Sequence, residues 1–309
     1  MKRAVVTGPT GVVGVNLVNE LAAHDIPVTA VVRPGSARIG NIPAHPLVEI
    51  VKCPLNELSL LPSLVKGECG AFYHLAWDGT YGTARDDRAL QESNVYNTIL
   101  AVGAAMALGC DAFVFAGSQA EYGPVSGRFA PDTPCAPDTR YGQMKLLAGD
   151  KSSALCKELG LRHCHCRILS LYGPFDGAHT MVMQAVDTML RGEVFPCTAG
   201  EQIWDYLYAK DAARAFRLVG ERGRDGAVYC LGSGQTRRLR DYITAIRDAI
   251  DPALPVGFGA RAYYAHQVMH LEADITALSA DTGFAPAYSF EQGIAETVAW
   301  ARNRYRTDS

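Results

Sequence analysis

A short apolar run, Ala4-Val5-Val6, meets a glycine-rich turn, Thr7-Gly8-Pro9-Thr10-Gly11-Val12-Val13-Gly14, which leads into a stretch carrying Val13, Leu17 and Leu21 at four-residue spacing. Strand, tight turn and helix in that order leave few choices of fold. Glycines three residues apart divide the work: Gly8 permits the turn, Gly11 lets a pyrophosphate approach the backbone, and Gly14 allows the helix to pack closely on a sheet. The helix N-terminus then holds an anion through backbone N–H groups and needs no charged side chain. Thr7, Gly8, Thr10, Gly11, Val12 and Gly14 are accordingly candidate dinucleotide-binding residues.

Apolar runs at Val28–Val32, Val48–Val51, Ala71–Leu75, Ala112–Ala116 and Arg162–Leu171 alternate with helical patterns through the first half. That alternation predicts βαβ units and an α/β fold: a Rossmann-type, doubly wound parallel sheet with helices on both faces. After Tyr172-Gly173-Pro174 the pattern loosens, with a further strand at Ala227–Leu231 and helices at Leu239–Ile250 and Phe290–Arg302. The 309 residues are expected to divide into a cofactor domain over 1–173 and a smaller C-terminal α/β substrate domain over 174–309, with a segment near 205–235 returning to the first.

Lysine and arginine count 29 against 32 acidic residues, a net charge of −3, so no broad basic face is expected for nucleic acid. Nine cysteines form an odd set without a CxxC pair, which points to reduced thiols rather than a disulfide framework. Cys164-His165-Cys166 falls on a predicted strand, where alternation turns His165 away from both thiols, and no metal site is expected. Glycine arrives too early for a signal-peptide apolar region. No apolar run approaches the roughly 18 residues that span a bilayer, so a soluble cytoplasmic protein without a membrane partner is expected.

The second strand ends Val31-Val32-Arg33-Pro34-Gly35-Ser36-Ala37-Arg38, with no acidic residue to accept the ribose hydroxyls of NAD. Arg33, Ser36 and Arg38 suit the 2′-phosphate of NADP, with NAD the alternative; a solvated loop is the plainer account of the same residues. Tyr141-Gly142-Gln143-Met144-Lys145 places a phenol and an ammonium one helical turn apart. A tyrosine, with a reference pKa of about 10, serves as acid or base near neutrality only if a cation stabilises its phenolate, and Lys145 is the expected cation. Ser118 closes the Phe113–Gly117 strand, where a hydroxyl can hold a substrate oxygen.

With these residues assembled, the chain resembles the extended short-chain dehydrogenase/reductase family of nucleotide-sugar epimerases, dehydratases and reductases. The likeness runs through the glycine motif, His74-Leu75-Ala76-Trp77, Asn94, Ser118-Gln119-Ala120-Glu121-Tyr122-Gly123, Tyr141 with Lys145, Arg167 to Pro174, Trp204 to Asp211, and Gly283-Phe284-Ala285-Pro286. The resemblance implies that Tyr141 is the general acid/base, that Lys145 binds the nicotinamide ribose and lowers the tyrosine pKa, and that Ser118 orients the reacting oxygen. It also implies cofactor contacts at Leu75, Ala76 and Asn94, a nucleotide-sugar substrate and a homodimer.

Departures from the family pattern narrow the expectation. The Asp-Glu pair that follows the Ser/Thr in the family's 4,6-dehydratases is replaced by Gln119 and Ala120, and Glu121 comes one place later. Trp204 stands where the family has an arginine, as packing or as a stacking surface. A later diphosphate-gripping arginine is replaced within Ala265 to Asp274, for which Arg261, Gln267 and His270 are substitutes or merely structural. Thr80, Tyr81, Ser118, Gln119 and Trp204 are the candidate substrate contacts, the first two also readable as loop filler. Among relatives, the chain looks most like the 4-ketoreductases of CDP-abequose and CDP-paratose synthesis. The expected activity is NADPH-dependent reduction of a nucleotide-linked 4-keto-6-deoxyhexose; the alternatives are a C4 epimerase with tightly held NAD and a non-catalytic cofactor-binding subunit.

Overall fold

A computed structural model describes residues 1–264 and 267–307. Five strands follow the predicted runs closely: β1 (Arg3–Thr7), β2 (Val28–Val32), β3 (Val48–Lys52), β4 (Cys69–His74) and β5 (Ala112–Ser118). With strands Arg162–Ile168 and Ala227–Leu231 they form one seven-stranded parallel sheet. From one edge to the other its order is 227–231, 162–168, β5, β4, β1, β2, β3. The chain winds outward from β1 through β2 to β3, then restarts on the other side of β1 at β4, so a crevice opens between the C-terminal ends of β1 and β4.

Helices cover both faces of this sheet. Alternation along β5 sends Phe113 and Phe115 to one face and Val114 to the other. The first face is packed by helices Arg88–Ala107 and Arg140–Leu159, through Val102, Ala105 and Ala148. The second is packed by α1 (Val12–Ala23) and helix Ala209–Arg222, through Leu17, Leu21, Phe216 and Val219. Arg217 ties these two helices together at 2.8 Å from Glu20. The segment that returns to the large sheet thus supplies both a covering helix and an edge strand.

The remaining chain builds a second core from helices Met181–Leu190, Leu239–Ile250 and Phe290–Thr307, with Val186, Ile246, Ile294 and Val298 inside it. A four-stranded sheet of Arg237–Arg238, Ile203–Trp204, His270–Ala273 and Gly127–Phe129 lies in the same half of the chain's sequence, apart from its last strand. One predicted run is divided. The strand expected over 162–171 stops at Ile168, and Leu171–Tyr172 pairs instead with Leu207–Tyr208. Ser170 makes the break, its carbonyl accepting the Leu207 N–H at 2.9 Å and its hydroxyl the Trp204 indole N–H at 2.9 Å.

All nine cysteines are free. Cys164 and Cys166 sit in the core on the α1 side, while His163 and His165 face the other way, toward Ser152 and Glu121. Among the described residues no helix is long and apolar enough to cross a membrane.

Candidate active site

The three motif glycines have three different surroundings. Gly8 adopts φ +70°, and a Cβ there would lie 2.8 Å from the Ala76 backbone nitrogen. At Gly14 a Cβ would lie 2.1 Å from the Gly8 carbonyl oxygen, so only glycine lets the helix approach the turn this closely. At Gly11 the nearest atom is 3.9 Å away. No protein atom demands a glycine there, and the open space lies at the N-terminus of α1, whose cap position Gly11 carries no side chain to take up the first-turn N–H groups. A backbone cradle of that form fits a dinucleotide phosphate. The Thr7 side chain is fully buried and hydrogen-bonds His74 Nδ1 at 3.0 Å, joining β1 to β4.

Asn94 is buried on helix Arg88–Ala107. Its amide accepts the Asp78 N–H at 3.0 Å and donates to the Asp78 carbonyl at 2.9 Å, fixing the chain just beyond Leu75-Ala76-Trp77. That loop brings a group that the local sequence at the end of β2 does not contain. The Asp78 carboxylate stands 3.8 Å from the Arg33 guanidinium, both largely exposed. The expectation that no acid competes with Arg33 holds along the chain but not in space, and Asp78 offsets the positive potential available to a 2′-phosphate.

Ser118, Tyr141 and Lys145 converge at the C-terminal end of β5. Helix Arg140–Leu159 starts at Thr139, whose hydroxyl accepts the Gly142 N–H at 3.1 Å, and this cap sets Tyr141 in the first turn with Lys145 one turn on. Burial pushes the Tyr141 phenol above its usual value, against its interaction with Ser118 and the charge of Arg85, which pull it down. Lys145 is 4% exposed, donates to the Ala116 carbonyl at 2.7 Å and lies 4.0 Å from the centre of the Trp77 ring. Its burial brings the ammonium down to about 7, with Glu121 opposing the shift.

Arg85 is a cation at the phenol besides the expected Lys145. Its guanidinium lies 4.7 Å from the centre of the Tyr141 ring. Gln91 holds the loop carrying Arg85 by donating to the Gly79 and Ala84 carbonyls at 2.8 and 2.9 Å, and it accepts the Trp77 indole N–H at 2.9 Å. Only the Trp77 backbone motif is visible in the sequence; the meeting of Trp77, Arg85 and Tyr141 is a product of the fold.

Among the candidate substrate contacts, Thr80 is exposed, and Tyr81 stacks on His179 at 4.1 Å, bridging the loop after β4 and the approach to helix Met181–Leu190. Gln119 is half-buried beside Ser118. Trp204 is packed into the second core and committed to Ser170. His270 pairs with Glu272 at 3.1 Å and Gln267 donates to the adjacent Val268 carbonyl, so neither projects as a free replacement for the family arginine; Ala265 and His266 of that segment lie outside the described residues. Arg261 is anchored by its backbone N–H to Cys197.

Comparison with known proteins identifies the family. The model of the family described as "NAD dependent epimerase/dehydratase family" matches residues 4–232. A dTDP-glucose 4,6-dehydratase from Xanthomonas campestris pv. campestris is 30% identical over 199 residues, 61% of this chain and 57% of that protein, so the chain spans little more than half of that relative's length. Among solved structures, a UDP-N-acetylglucosamine 4-epimerase from Methanobrevibacter ruminantium M1 superposes with a TM-score of 0.88 at 22% identity, over 98% of this chain and all of that one. A UDP-glucuronic acid 4-epimerase from Bacillus cereus, in complex with NAD, gives 0.84 at 21% identity over 99% and 100%. With three-quarters of its length inside the family match, the chain belongs to the NAD-dependent epimerase/dehydratase family of extended short-chain dehydrogenase/reductase enzymes.

Proposed function

We propose that the protein is an NADPH-dependent reductase of a nucleotide-linked 4-keto-6-deoxyhexose, with Tyr141 as the general acid. The observation that carries this reading is the identity of the groups after Ser118. Gln119 and Ala120 offer no carboxyl there, and Glu121 is turned inward and bound to Arg167 and His165. Water elimination lacks its acid and base, whereas carbonyl reduction needs one proton donor, and Tyr141 supplies it.

Gly8, Gly11, Gly14 and the Thr10–Val12 backbone would hold the pyrophosphate, Arg33, Ser36 and Arg38 the adenosine ribose end, and Lys145 with Leu75, Ala76 and Asn94 the nicotinamide end. When bound, the reduced nicotinamide supplies hydride to the sugar C4. Tyr141 gives its phenolic proton to the carbonyl oxygen, Ser118 holds that oxygen by a hydrogen bond, and the cations Arg85 and Lys145 steady the phenolate left behind. Replacing Tyr141 by Phe should lower kcat on the order of 10²–10⁴-fold while leaving NADPH binding intact. Unchanged turnover in that variant rules out the mechanism.

Asp78 favours a second reading, a C4 epimerase that retains NAD, because its carboxylate competes for Arg33. Denaturing the purified protein separates the two: stoichiometric NAD in the supernatant supports the epimerase, and steady-state NADPH oxidation with a 4-keto-sugar supports the reductase.

A further inference from the structure

Behind Ser118, Tyr141 and Lys145 lies a charged cluster that the proposed chemistry does not use. Glu121 is completely buried. Its Oε1 accepts the Ser118 backbone N–H at 2.7 Å and lies 3.1 Å from His165 Nε2; its Oε2 accepts Arg167 Nε–H at 2.8 Å. Arg167, 5% exposed, is itself held by the Pro131 carbonyl at 3.3 Å and by the Tyr122 ring at 4.6 Å. His165 is seated against Gly149, where a Cβ would come within 2.3 Å of its Cε1.

A buried ion pair is a poor way to gain stability, since an apolar residue of similar volume often does as well. Placement gives this one a use. The Ser118 hydroxyl accepts the Ala120 N–H while Glu121 accepts the Ser118 N–H, a reciprocal cap that fixes the turn directly below the serine. Burial alone would raise the Glu121 carboxyl, but His165 and Arg167 hold it down at about 2, so it stays ionised throughout the working range. Its negative charge acts on both Tyr141 and Lys145, pushing each up. The other charged and titratable groups at these three residues are Arg85 over the phenol, His74 beyond the ammonium, and Cys135 beside Arg167.

We propose that Glu121 is a positioning residue of the reaction centre: its clamped carboxylate fixes the peptide that carries Ser118 and sets a permanent negative charge behind Tyr141 and Lys145. The proposal rests on the catalytic reading of those three residues. Glu121→Gln keeps the shape and the acceptor for Ser118 and removes the charge. Tyr141 and Lys145 then both titrate lower, so the alkaline limb of carbonyl reduction moves to lower pH, and kcat falls on the order of 10-fold at unchanged KM for NADPH. Arg167→Lys, which conserves the charge balance, leaves the limb in place. A limb that stays fixed or moves up in Glu121→Gln overturns the proposal.

A substrate-free readout separates this result from the functional reading. Ultraviolet difference titration of each protein against its Tyr141→Phe counterpart follows the Tyr141 phenol whether or not any sugar is reduced. A lower Tyr141 titration in Glu121→Gln supports the positioning role even if wild type reduces no keto-sugar, and an unmoved titration sinks it. If the variants do not fold, the wild-type amide spectrum decides: a Ser118 N–H bound to a carboxylate is far downfield and slow to exchange, and an ordinary, fast-exchanging amide contradicts the clamp.

Discussion

Arg85 illustrates what single residues reveal only in three dimensions. Tyr141, Lys145 and Ser118 are legible in sequence because the first pair shares one helix and the serine ends a recognisable strand. Arg85 ends the short 3₁₀ turn Gly82–Arg85 and meets Tyr141 across a gap of more than fifty residues, so no spacing announces it. The same is true of Asp78 beside Arg33. Arg85 lowers the Tyr141 phenol, so Arg85→Met should raise it. The proposed reduction uses the protonated phenol, and the alkaline limb of kcat/KM should therefore move to higher pH, opposite to the shift expected for Glu121→Gln. A pH profile of NADPH oxidation in the two variants checks both signs together.

At the scale of elements, the parallel strands follow from the sequence because short β-rich runs alternate with helical patterns. Two-residue strands such as Leu171–Tyr172 and Ile203–Trp204 carry no period to detect, and they arise from pairing with segments tens of residues away. The turn into α1 makes a sharper test, because its glycines serve different ends. Gly14→Ala drives a methyl into the Gly8 carbonyl and should destabilise the fold by about 1–3 kcal/mol. Gly11→Ala has room for its methyl and should change stability by less than about 1 kcal/mol while sharply weakening dinucleotide binding. Thermal denaturation with and without NADPH distinguishes the two: Gly14→Ala lowers Tm in both conditions, and Gly11→Ala loses mainly the increment due to cofactor.

Across the whole molecule, the loosening of pattern after Tyr172 signals a change of architecture, and the large sheet recovers its last strand only at Ala227–Leu231. Without the segment that returns to the sheet, Arg162–Ile168 becomes a bare edge and the α1 face loses Phe216 and Val219 of the covering helix. A fragment ending at residue 173 should therefore aggregate, whereas one reaching residue 235 keeps all seven strands; size-exclusion chromatography of the two reports the difference.

The late return of that strand also governs how such proteins can be recombined. A chimaera that exchanges everything after residue 173 for the corresponding half of a relative imports a foreign edge strand and a foreign partner for Glu20 along with the new pocket. Transplanting substrate preference calls for two crossovers, one on either side of the 205–235 return, so that the sheet and its covering helix remain from a single parent.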